Sequence, residues 1–308
     1  MADVLAARSD LVAQMADFRF YYYKPSMAAA IIFAVLFGLA TLAHSCQMVR
    51  WKTWFMIPFV VGGLFEMVGY IGRIMSATEN PGPYDKIPYI IQSLLLLVAP
   101  PFFAASIYME LGRIVVMVDG EDRLLIRRSW LTRIQATGSS MMASEDPDKV
   151  NFAHYAVIAG LFLQVAFFGF FVFAATIFHS RMVVRPTSLA HERPWTKQMI
   201  GLYIVSTLIL VRSVVRGIEF IQGYDGYIMT HEAFLYGFDA VLMFLAVVTI
   251  NIIHPGEAAE YLRDDAVVTK KAEYQQLQER YADVEGPSSN RCSWLLRHLR
   301  LSLEDIDK

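Results

Sequence analysis

The chain has 308 residues, 56% hydrophobic and 18% charged, with a formal net charge of −2 and a mean hydropathy of +0.40. That apolar share exceeds what ordinary soluble domains carry, so the excess surface needs a lipid solvent. With two cysteines, Cys46 and Cys292, a disulfide framework or a cysteine metal site is excluded, and the near-zero net charge says little about partners.

Residues 1–26 form an N-terminal segment in which Asp3, Arg8, Asp10, Asp17 and Arg19 replace the basic start and apolar stretch of a cleavable signal. The first span is therefore expected to serve as the insertion signal. Tyr21, Tyr22 and Tyr23 sit where an aromatic interface belongs, followed by a first apolar run, Met27–Val49. Trp51 and Trp54 mark the next interface, and Thr53–Ile74 the second run. The third, Ile87–Met117, is long enough to tilt, or to bend at Pro100–Pro101, where two backbone donors are missing. Tyr155–Phe178, then Met199–Ile221 behind Trp195, then His231–Ile253 complete six clear spans, each near the 20 residues that cross a bilayer as helix. Residues 257–308 form a polar tail. In it Trp294, Leu295, Leu296, Leu299 and Leu303 interleave with Arg291, Arg297 and Arg300, the pattern of either an amphipathic membrane-surface helix or a plain surface helix.

Basic residues outside the spans give an orientation that conflicts with a count of six. Arg50 and Lys52 follow the first span, Arg181, Arg185, Arg193 and Lys197 the fourth, and Arg263, Lys270 and Lys271 lie in the tail, whereas Gln222–Thr230 carries no Lys or Arg. The positive-inside rule puts the tail and the Arg181–Lys197 loop in the cytosol and Gln222–Thr230 outside. Yet Val118–Ala153 is also basic, with Arg123, Arg127, Arg128, Arg133 and Lys149. Two inside loops cannot flank one crossing. The only uncharged candidate for another is Ile134–Ala143, whose ten residues make about 15 Å of helix against roughly 30 Å of hydrocarbon. It is either a re-entrant stub or the remnant of a fourth helix shortened by deletion or gene-model error. The fold class expected is all-α, a polytopic transmembrane helix bundle with six clear spans of a seven-span plan and the fourth span truncated.

Nine charges interrupt the apolar runs. Glu66 and Arg73 share a helix face with Tyr70, Glu110 and Arg113 close the third span, Arg212, Arg216 and Glu219 repeat the i, i+4, i+7 spacing, and Glu232, Tyr236 and Asp239 repeat it again. Gln92 and Gln164 add polar groups. Isolated at mid-bilayer, each charge costs roughly 2.5–3.5 kcal/mol, on the order of 25 kcal/mol together, so they must snorkel, pair or line a wet cavity. Five acids against four bases permit near-complete pairing. Two readings follow: salt bridges that pin helix register, to which Arg73 and Arg113 near span ends suit best, or a polar track that binds an amphiphile's head group or relays protons. His44 and His254 read as core or interfacial histidines, no His/Cys/Asp cluster has metal-ligand spacing, and no motif of hydrolase, nucleotide or dinucleotide chemistry is present. No enzymatic activity, cofactor, metal or nucleic-acid partner is expected.

These residues also fall into a known pattern. YKPS at Tyr23–Ser26, HS at His44–Ser45, EMVGYIGR at Glu66–Arg73, the stretch Tyr89–Arg113 and GLFLQVAFFGFF at Gly160–Phe171 come first. Arg212–Gly226, His231–Phe244 and NIIHPG at Asn251–Gly256 follow in the same order. Over roughly residues 21–256 the chain resembles the fungal RTA-like proteins, also described as lipid-translocating exporters. The resemblance implies seven spans, an outside N-terminus and an inside tail, and the movement of lipids or sphingoid bases with tolerance of amphipathic toxic compounds. It departs from the family where the fourth helix belongs: Trp130–Ile134 resembles the lead-in and Ser139–Ser144 the exit, without the apolar core between. Expected, then, is a transmembrane domain over 27–256, in the plasma membrane or an endomembrane, with membrane lipids or an amphipathic small molecule as partner. It would move or promote export of that molecule; a seven-span sensor of lipid or membrane stress is the alternative.

Overall fold

The structure is a computed structural model that describes residues 25–78, 86–123, 150–222, 226–227 and 231–282. The tyrosines at 21–23, the segment Ile134–Ala143 and the Trp294–Leu303 pattern lie outside the described residues.

Helix α1 (Met27–Trp51) starts where the Ser26 hydroxyl accepts from the Ala29 amide and ends at Lys52, in the left-handed conformation at φ 54°. A short 3₁₀ turn, Trp54–Met56, leads into α2 (Ile57–Thr78). Helix α3 (Lys86–Met117) continues through Pro100 and Pro101, and α4 is Val150–Val184. It runs six residues past the apolar limit at Phe178, with the Thr176 and Ser180 hydroxyls donating to carbonyls one turn back, and it stops ahead of Pro186. Helix α5 is Trp195–Gln222. Helix α6 (232–252) is built from Glu232–Leu235, a π-helical turn Tyr236–Ala240, and Val241–Ile252. Beyond the His254–Pro255 break, α7 (Gly256–Ala282) leaves the bundle. Six helices are long and apolar enough to cross a membrane, and among the described residues there is no strand.

Their packing gives the directions. Helix α2 is antiparallel to both α1 and α3, and approaches α3 so closely that a Cβ on Gly62 would lie 2.8 Å from the Phe103 ring. Helix α6 runs parallel to α1, with Phe33 on Tyr236, Phe37 on Phe244 and His44 on Asn251, and antiparallel to α5. Helices α3 and α4 are parallel as well. Tyr108 packs on Phe168 and Phe171, and twelve residues on, Gly120 meets Phe178. The two C-terminal ends are tied together: the Thr187 hydroxyl donates to the Val118 carbonyl at 2.6 Å and Arg193 to the Met117 carbonyl at 2.5 Å. Successive parallel helices require the chain between them to return from one end of the bundle to the other, the same demand that the charge pattern makes of a seven-span plan.

The core is aromatic and aliphatic, with Phe37, Phe59, Phe103, Ile107, Phe178 and Leu202 fully enclosed or nearly so, while Leu39, Leu42, Phe162 and Phe173 point outward. This inside-out distribution is what a lipid-facing surface tolerates.

Candidate functional site: a buried charge network

Within this apolar core the polar residues of α2, α5 and α6 meet on one level. The i, i+4, i+7 spacing stacks them on single helix faces, and the π turn of α6 carries Asp239; a widened turn of this kind recurs at functional sites. Asp239, 2% exposed, accepts with both oxygens. Arg212 Nε reaches Oδ1 at 2.5 Å, and Arg216 donates to Oδ2. Arg216 also bonds Glu219 at 3.0 Å. The other end of the Arg212 guanidinium donates to the Leu96 carbonyl on α3. A buried carboxylate shared by two guanidiniums is a strong local constraint, since charge-assisted hydrogen bonds strengthen as the dielectric falls.

About two helical turns nearer the α1 N-terminus lies a second ion pair, Arg73 to Glu232 at 2.5 Å. Arg73 Nε donates to the Tyr236 hydroxyl at 2.9 Å, which in turn donates to the Ser26 carbonyl at 3.3 Å, and the Ser26 amide donates to Glu232 at 2.8 Å. Tyr70, stacked on Phe37 at 5.7 Å and on Tyr236 at 6.2 Å, joins the two groups.

Glu66 differs from its neighbours. It is fully buried, and neither carboxyl oxygen has a hydrogen-bond partner among the described residues; the Tyr70 hydroxyl, one turn along, has none either. Its nearest charges are Asp239, Arg212 and Arg216. Six of the nine intramembrane charges are thus in ion pairs, and Glu66 completes the group electrostatically. Glu110 and Arg113 stand apart: Glu110 is buried with neither oxygen bonded, and Arg113 lies 4.0 Å over the Phe55 ring. Gln164 donates to the Ser213 hydroxyl at 3.3 Å, at the edge of the network, and Gln92 is buried on α3.

At the opposite end of the bundle His44 Nδ1 meets Asn251 Oδ1 at 3.0 Å, Asn251 Nδ2 donates to the Ala40 carbonyl at 3.0 Å, and the His254 ring lies 5.3 Å from that of His44. Asn251 was not singled out from the sequence, although its place one turn before His254–Pro255 marks it. The Leu96 carbonyl could be found only by counting back four residues from Pro100. At the same end, Arg193 makes a bidentate pair with Asp265 of α7, both contacts at 2.7 Å, and these hydrogen bonds raise the guanidinium above its ordinary range.

The family described as "RTA1 like protein" matches residues 59–261. Among curated relatives from Saccharomyces cerevisiae, Protoporphyrin uptake protein 1 is 35% identical over 284 residues, covering 76% of this chain and 91% of the relative. Protein RTA1 is 34% identical over 275 residues, covering 77% and 85%. The Sphingoid long-chain base transporter RSB1 is 25% identical over 280 residues, covering 76% and 72%. No solved structure matches.

Proposed function

The chain belongs to the RTA1-like family, and from that premise we propose that it moves an amphipathic, lipid-like molecule across or out of the membrane without enzymatic chemistry. The head group would pass along the polar face formed by Glu66, Arg73, Arg212, Arg216, Glu219, Glu232 and Asp239, with Gln92, Glu110, Arg113 and Gln164 as outlying members, while the apolar tail stays in lipid. The observation that carries this reading is the concentration of ionisable groups inside the bundle. Such groups are expensive in a membrane, and where present they mark substrate or ion pathways. Relatives named for a sphingoid base and for protoporphyrin support an amphiphile as the class of cargo.

The bundle end that gathers Arg50, Lys52, Arg181, Arg185, Arg193, Lys197 and α7 is proposed to face the cytosol, by the positive-inside rule, with the tail on that side and the plasma membrane as the site of action. Reconstitution into liposomes with a fluorescent sphingoid base or phospholipid tests the function. Faster transbilayer movement than in empty liposomes is expected; equal rates, with ligand-dependent changes confined to the basic end, would replace transport by sensing.

A further inference from the structure

Counting charge in the network leaves one acid over. Arg212 and Arg216 are matched by Asp239 and Glu219, and Arg73 by Glu232. Glu66 is the remainder, enclosed at 0% exposure with both oxygens unbonded. An ionised carboxylate there would leave the cluster with one net negative charge and no hydrogen bond to hold it, although Arg212 Nη1 and Arg216 Nε are also buried without a partner among the described residues; a buried group escapes that situation by neutralisation. The groups that act on it are Asp239 from α6 and Arg212 and Arg216 from α5, the two arginines already engaged by Asp239 and Glu219. Helix α2 itself contributes Tyr70, whose hydroxyl is also unbonded, and Arg73, committed to Glu232. Helix α1 faces the cluster with Phe33 and Phe37, which hold no charge, and the nearby polar side chain of α3, Gln92, is uncharged.

We propose that Glu66 is a site for exactly one positive charge, filled by a proton when the bundle is closed and by the cationic head group of an amphiphile when cargo enters, so that cargo and proton exchange. This rests on the transport reading above and gives it a coupling step. The balance is simple: as one ammonium-bearing molecule arrives, the carboxyl O–H bond breaks, the carboxylate pairs with the ammonium, and one proton leaves toward solvent. Core charge is the same before and after.

The test uses proteoliposomes holding a pH dye, with a fluorescent long-chain trimethylammonium amphiphile as probe, because its fixed charge prevents movement as a neutral base. Wild-type protein is expected to move the probe with opposite proton movement, and Glu66→Gln to abolish the proton signal. Probe movement without proton movement, or a proton signal retained by Glu66→Gln, overturns the exchange and leaves transport standing. Movement of neither this probe nor a long-chain alcohol overturns the transport reading itself, and infrared spectra of the purified protein then judge Glu66 alone. A protonated-carboxyl band at neutral pH that Glu66→Gln removes and Glu66→Asp shifts supports the proton site; no difference between wild type and Glu66→Gln overturns it. Unchanged gel-filtration behaviour of both variants separates these results from misfolding.

Discussion

Arg212 donates to the backbone carbonyl of Leu96, the acceptor that Pro100, four residues on, cannot serve. Proline removes the N–H that would close this helical turn, and in hydrocarbon an orphaned carbonyl costs several kcal/mol. The guanidinium fills that place with one arm and holds Asp239 with the other, so a defect in α3 and a buried acid in α6 are resolved by one side chain on α5.

Arg212→Ala is therefore expected to destabilise the protein by about 3 kcal/mol, since it takes one of two guanidiniums from a buried carboxylate and leaves the Leu96 carbonyl without its donor. Pro100→Ala restores the missing N–H and should recover about 1 kcal/mol of that loss in the double variant, a coupling of the size seen between residues that share a partner. Thermal unfolding of detergent-purified protein reads both, and additive effects would count against the shared carbonyl.

Asp239→Ala leaves Arg212 and Arg216 without the carboxylate they share, Arg216 keeping its pair with Glu219. Abundance and transport should both fall severely, and a second substitution, Arg212→Met or Arg216→Met, should partly restore abundance by removing the excess charge. Quantitative immunoblots of the single and double variants decide this; a fully abundant and active Asp239→Ala protein would reduce the network to scenery.

Gly62 lets α2 and α3 approach. A Cβ there would stand 2.8 Å from the Phe103 ring and 3.1 Å from the Ala99 carbonyl, and a backbone atom cannot swing away as a side chain can. Gly62→Ala should cost about 1–3 kcal/mol, in line with overpacked cores, with a lowered unfolding midpoint as the measure. Gly217, with open space around it, is the control: Gly217→Ala should leave the midpoint unchanged or raise it slightly.

Arg193 binds the end of α3 and the side of α7 together. Because Asp265 is 46% exposed, the ion pair itself contributes little, about 1 kcal/mol or less, so Arg193→Ala should scarcely alter the unfolding midpoint. It should instead expose α7 to limited proteolysis ahead of the bundle, an effect that Asp265→Asn reproduces more weakly because the Met117 contact survives.

The spans were legible because the bilayer writes helix length into composition: each apolar run became a helix, extended by up to about six residues at its ends, as in α4. The pairing was legible as arithmetic and not as geometry. Spacing put Arg212, Arg216 and Glu219 on one face, but which arginine reaches which acid depends on the π turn at Tyr236–Ala240 and on helix directions that no local pattern carries. Arg113 shows the limit most clearly, since it lies over Phe55 rather than beside Glu110 three residues away. Loop charge led to the expectation of a seven-span plan; six spans are present among the described residues, and the segment that would hold another lies outside them.

The parallel pairing of α1 with α6 has a consequence for how the protein is made. Glu232, which pairs with Arg73, and Asp239, which Arg212 and Arg216 share, lie in α6 and leave the ribosome after the helices that carry those arginines. During synthesis Arg73 and Arg212 must enter the membrane before these partners exist, whereas Arg216 carries Glu219 with it on the same helix. The nascent chain therefore passes through a stage in which its costliest residues are unmatched, and chains truncated before α6 should be held by membrane chaperones or degraded rather than accumulate as partial bundles.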